Sequence, residues 1–218
     1  DVYKRQAKNM AEKATNQDWL DQVQEEALEP ELPIIDPHHH LWDQKVGRVN
    51  PKYFLEEMLE DTNSGHNIVA TVFIECGAMF RADSPDHLKP LGETEFVNGI
   101  AAQSASGIYG PTRVAAGIVG TMDWRRGAGV AEILDQHITL GSGRFRGIRV
   151  GATWDASSDV ENHRTEPPQG LYSDPVFRDA FAELAKRDLS FEAWCYHPQI
   201  PGLADLARAH PHNRIVLD

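Results

Sequence analysis

Three consecutive histidines, His38-His39-His40, follow the apolar run Pro33-Ile34-Ile35 and precede Leu41-Trp42. Imidazole is the side chain that most often binds a metal or moves a proton near neutral pH. In an extended strand alternate side chains share a face, so His38 and His40 should project together and His39 away from them. Two imidazoles so placed can grip one divalent ion, which requires ring nitrogens about 3 Å apart. A purification tag would sit at a terminus and run longer, whereas this cluster is embedded behind a strand.

Other residues with chemistry also fall at the ends of strand-like runs. Thr71-Val72-Phe73-Ile74 runs into Glu75, and Phe145-Arg146-Gly147-Ile148 into Arg149, with Trp154 beyond it. A further run ends on His197-Pro198. A histidine at the mouth of a second strand suits a mononuclear metal centre, and the residues alone equally allow a loop histidine next to proline. Arg149 reads either as a bidentate clamp on a substrate carboxylate or as half of a structural ion pair, with Glu75 as a substrate contact or its partner. Two long connections follow the second and fourth runs: Gly77 to Gly92, with Arg81, Asp83 and His87, and Ala152 to Ser173, with His163 and Arg164. Segments of this length often serve as lids or binding loops, which makes Arg81 a candidate substrate contact. Cys76 and Cys195 have no metal-finger spacing and read as reduced core thiols.

The elements that must position these groups alternate along the chain. Strands are expected at Ile34 to Pro37, Ile68 to Glu75, Arg113 to Gly120, Phe145 to Val150, Leu189 to Tyr196 and Arg214 to Leu217. Helices are expected at Lys52 to Thr62, Glu93 to Ala105, Gly129 to Leu140, Val176 to Arg187 and Gly202 to Ala209, with Ser173-Asp174-Pro175 as a start signal. Strands apolar on both faces and separated by helices imply a parallel α/β sheet. No Gly-rich phosphate loop follows the first strand, and chemistry gathers at successive strand ends, which favours a (β/α)8 TIM barrel over a doubly wound sheet. Six strands leave that barrel incomplete, so its last edge is expected to expose apolar groups. Residues 1–29 form a polar, helix-prone extension with Trp19, Leu20 and Val23 as a thin apolar stripe, and the barrel domain occupies 30–218.

Composition narrows the function. The 218 residues carry a formal charge of -12, which argues against nucleic acid or an anionic membrane as partner and leaves a small-molecule substrate. No apolar stretch approaches the roughly 18 to 20 residues of a spanning helix, so a cytoplasmic protein is expected.

Asp36-x-His38-x-His40-Leu41-Trp42, Phe145-Arg146-Gly147-Ile148-Arg149, and His210-Pro211 followed by Arg214-Ile215-Val216-Leu217-Asp218 together resemble the amidohydrolase-related group of the amidohydrolase superfamily. The nearest resemblance is to its lactonase branch, which includes 2-pyrone-4,6-dicarboxylate lactonase and sugar-acid lactonases. It covers the chain from about Pro33 onward. It implies a distorted TIM barrel of the metal-dependent hydrolase type with its site at the C-terminal mouth. His38 and His40 would be the strand-one pair of the metal site, and Arg149 would bind the substrate anion. His197-Pro198 resembles the fifth-strand His-Pro of the decarboxylase branch, where the histidine is a metal ligand.

The resemblance therefore implies a hydrolase opening a lactone of a carboxylated or sugar-derived substrate. His38, His40 and His197 would act as catalytic and metal-binding residues, and Glu75, Arg149, Trp154 and Arg81 as substrate contacts. The cofactor would be Zn or Mn, although some lactonases of the branch work without metal. In the family a His and a Gly follow the sixth-strand Leu-Asp, and a general-base Asp ends the eighth strand. The sequence closes at Asp218, so a C-terminally truncated and inactive barrel is expected. The branch often places His where Val150 stands. A metal-dependent non-oxidative decarboxylase and a non-catalytic barrel remnant are the alternatives.

Overall fold

The computed structural model describes residues 22–23, 25–43 and 52–218. Trp19 and Leu20, with most of the expected N-terminal extension, lie outside the described residues. Residues 25–29 are irregular.

Among the described residues six strands form: β1 Ile34–His39, β2 Ile68–Ile74, β3 Arg113–Gly120, β4 Phe145–Gly151, β5 Ser190–Trp194 and β6 Arg214–Leu217. Between them lie five α-helices: α1 Leu55–Thr62, α2 Leu91–Ala105, α3 Ala131–Leu140, α4 Pro175–Ala185 and α5 Ile200–Ala209. The strands are hydrogen-bonded in the order β1-β2-β3-β4-β5-β6. The pairs β1/β2, β3/β4, β4/β5 and β5/β6 are parallel. An order with no reversal excludes the switch point of a doubly wound sheet and leaves the βα repeat of a partial TIM barrel.

The chain divides into two compact units, residues 1–78 with 99–116 and residues 79–98 with 117–218. In the first unit the helix α1 opens where the Glu57 carboxylate accepts the Phe54 N–H at 2.8 Å, three residues after the expected start. Its Leu55 and Met58 are buried, as are Phe73 and Ile74 of β2. β1 departs from the expected two-sided apolar strand: Ile34 is half-buried and Ile35 is 61% exposed. It lies at one end of the strand order, so only one flank is covered by a neighbouring strand.

In the second unit α4 starts as the sequence predicts, with Asp174 Oδ1 accepting the N–H groups of Val176 and Phe177 and Pro175 in the first turn. The helix buries Phe177 and Phe181 against Phe191 of β5, with ring centroids 5.8 and 5.2 Å apart. β5 is shorter than expected because the chain turns at His197–Gln199, a 3-10 turn containing Pro198. At the last strand, Val216 and Leu217 are exposed. Among the described residues Cys76 and Cys195 form no disulfide, and both are half-buried rather than core.

Candidate functional site

The chemically capable residues form two sets, one in each unit. In the first, β1 contains a bulge created by its own sequence. Asp36 pairs with Thr71 and His39 with Phe73, so β1 spends one more residue than β2 between these points. Pro37 sits in that interval and has no N–H for the ladder, while the His38 N–H turns to Asp36 Oδ1 at 3.1 Å. The irregular stretch ends with His38 and His40 facing each other, their Nε2 atoms 3.3 Å apart.

Each ring of this set is fixed. His40 Nδ1–H donates to the Ile74 carbonyl at 2.8 Å, which turns its Nε2 toward His38. The indole of Trp42 stacks on His40 with centroids 5.2 Å apart, and the two histidine rings meet edge to face. His39 points away and is buried, with Thr71 Oγ1 2.8 Å from its Nε2. Burial lowers the His39 pKa to about 4, so this ring is neutral at physiological pH. Glu75, directly after β2, is fully buried. The Cys76 thiol faces the Leu41 carbonyl.

The spacing of the histidine pair fits a metal. Two nitrogens each about 2.05 Å from a tetrahedral ion stand about 3.3 to 3.4 Å apart, so the observed 3.3 Å, also within hydrogen-bond reach, admits one ion between the rings. A ring oriented by a hydrogen bond through its other nitrogen is the usual arrangement of a metal-binding histidine.

In the second unit Arg149 of β4 is buried, and its Nη1 lies 3.1 Å from Asp218 Oδ2. Its guanidinium also covers the indole of Trp194, 4.9 Å from the ring centroid. His163 packs edge to face with the same indole, with ring centroids 4.7 Å apart. His163 comes from the long connection after β4 and lies on Gly151, where a Cβ would stand 2.7 Å from its ring. The connection is pinned again by Tyr196, whose hydroxyl donates to the Glu161 carbonyl, and by Gln199, whose amide donates to the Trp154 carbonyl. Register pairs Arg149 with the buried Glu192 and Gly151 with Trp194 on the neighbouring strand.

The remaining expected residues stand apart from this group. Trp154 lines a cavity of about 290 Å³ with Tyr172 and Gln199, whose walls include neither Arg149 nor Asp218. His197 is exposed at the start of its 3-10 turn. Arg81 is held by both oxygens of Glu95, at 3.0 and 2.5 Å, an arrangement that occupies its fork. Trp194, His163 and the pairing of Asp218 with Arg149 escaped the reading of the sequence as site elements. Alternation along β5 carries a signal for Trp194, which shares a face with Glu192. Nothing local marks His163, whose position depends on a chain reversal.

The Amidohydrolase family model matches residues 35–218. A relative of unassigned function, protein y4mH of Sinorhizobium fredii, is 29% identical over 206 residues, covering 86% of this chain and 62% of its own. This chain thus spans less than two thirds of that relative. An amidohydrolase from Burkholderia multivorans solved with bound zinc superposes with a TM-score of 0.59 at 18% identity, over 84% of this chain and 56% of its own. The 2-pyrone-4,6-dicarboxylic acid hydrolase assigned provisionally in Pseudomonas putida superposes with a TM-score of 0.51 at 17% identity, over the same shares. Likenesses at these identities show the fold. Among the described residues, no helix is long and apolar enough to cross a membrane.

Proposed function

Because the chain belongs to the amidohydrolase family, we propose that the protein is a hydrolase that opens a lactone of a carboxylated or sugar-derived substrate, with His38 and His40 at its reacting centre. The observation that carries this reading is the 3.3 Å separation of the two Nε2 atoms, with His40 locked through Ile74. His38 and His40 would hold a divalent ion, Zn or Mn. When bound, such an ion supplies Lewis-acid polarisation of a carbonyl and a more acidic water.

The chain's own residues do the rest. The hydrogen bond from His40 Nδ1 to the Ile74 carbonyl fixes the ring so that Nε2 faces His38. Arg149 is held by Trp194 and Asp218, and its planar fork suits a carboxylate. Trp42, stacked on His40, restrains that ring and restricts water on one side of it. Non-oxidative decarboxylation on the same scaffold is the second reading, favoured only by the His197-Pro198 pair.

A pH-stat screen of the protein expressed from its full reading frame separates these readings. Proton release from sugar-acid or pyrone lactones is expected. Release of CO2 from aromatic acids, with lactones untouched, would replace the hydrolase by the decarboxylase.

A further inference from the structure

We propose that His39 and Thr71 are positioning residues for the strand-one pair, and that their hydrogen bond locks the bulge that brings His38 and His40 to a single point. This rests on the reading of His38 and His40 as a metal pair. In a regular strand, side chains two residues apart project in parallel, with Cβ atoms about 6.5 to 7 Å apart given a rise of about 3.3 Å per residue. The ring nitrogens of His38 and His40 nevertheless meet at 3.3 Å, and they do so where β1 gains its extra residue. The local geometry of the bulge therefore sets the pair, and whatever pins the bulge sets its precision.

His39 is that pin. It is the last residue of β1 and the first to pair with β2 after the bulge. Its ring is buried, edge to face on Phe73. The Thr71 hydroxyl is hydrogen-bonded to its Nε2 at 2.8 Å and accepts the Ala115 N–H at 2.9 Å, so one hydroxyl links three strands. Ala115 has a φ of 51°, a left-handed conformation costly for alanine, held here by the same oxygen. The imidazole is an expensive choice for the slot. Its Nδ1 is buried with no hydrogen-bond partner, whereas Leu or Val would leave no polar group unpaired. What the imidazole adds over them is the bond to Thr71.

The test uses the full reading frame and reads metal affinity, with Zn²⁺ competed against a chromophoric chelator, and the d–d spectrum of the Co²⁺-loaded protein. Circular dichroism confirms that each variant is folded. Thr71→Val is expected to weaken Zn²⁺ binding by about 10- to 100-fold and to change the Co²⁺ spectrum. Thr71→Ser, which keeps the hydroxyl, should stay near wild type. His39→Leu should match Thr71→Val and provides the reading if the valine variant fails to fold. Loss of binding in His38→Ala with unchanged affinity and spectrum in folded Thr71→Val or His39→Leu would overturn this inference alone. Absence of Zn²⁺ binding by the wild type would overturn both the inference and the metal reading beneath it.

Discussion

Arg149 and Asp218 form an ion pair of 3.1 Å in which the arginine side chain is 5% exposed and the aspartate 22%. The pair links the middle of β4 to the residue after β6, and Trp194 of β5 covers the guanidinium. Arg149 has thus already lost most of its water, and Asp218 compensates part of that cost. Removing one side chain takes this ion pair from a largely dry site. Arg149→Ala is expected to destabilise the fold by about 3 kcal/mol, at the low end for buried pairs because Asp218 keeps some solvent. Asp218→Asn should cost less, since the amide still accepts a hydrogen bond. Urea unfolding checks both, and a cost below about 0.5 kcal/mol for Arg149→Ala would show that the pair is not structural.

His137 of α3 is completely buried, stacked on Phe145, with Thr94 Oγ1 2.8 Å from Nδ1 and the Thr121 carbonyl 3.2 Å from Nε2. Burial lowers its pKa from 6.5 to about 4. Between these values the unfolded chain binds a proton at this histidine and the folded chain does not, so stability falls as pH drops from about 6.5 to about 4 and levels off below that. The contribution is on the order of 3 kcal/mol. Urea midpoints measured from pH 7 to pH 4 should decline less steeply in His137→Gln than in the wild type. Parallel curves would remove His137 as their origin.

Gly151 leaves the space in which His163 lies. A Cβ there would approach the imidazole ring to 2.7 Å, so Gly151→Ala must displace His163 and disturb its edge-to-face contact with Trp194. A loss of about 1 to 3 kcal/mol is expected, largely recovered when His163→Ala is added. Additive effects of the two substitutions would show that the clash is relieved elsewhere.

Much of this arrangement is legible in the residues themselves. The strands begin at Ile34, Ile68, Arg113, Phe145 and Arg214, the positions expected from apolar runs in the sequence, and Asp174-Pro175 starts a helix by local chemistry alone. The opposed faces of His38 and His39 follow from strand periodicity. What escapes is tertiary. Arg81 gives no local sign that Glu95, fourteen residues on, will occupy its fork, because the contact depends on the return of the chain through Gly92. The Ile35 side chain reads as core from its type, yet it is exposed because β1 ends the strand order. His163 is placed by a connection with neither helix nor strand between Ala152 and Gly170, where no periodicity exists to read.

The central claim is that the pair at the end of β1 is the reacting centre of a lactone hydrolase. It is tested most directly by lactone hydrolysis in the Zn²⁺- or Mn²⁺-loaded protein from the full reading frame, wild type against His38→Ala. The account predicts that the substitution lowers kcat/KM by at least about 10²-fold while circular dichroism and urea stability stay near wild type. Full hydrolytic activity in a folded His38→Ala protein would contradict it.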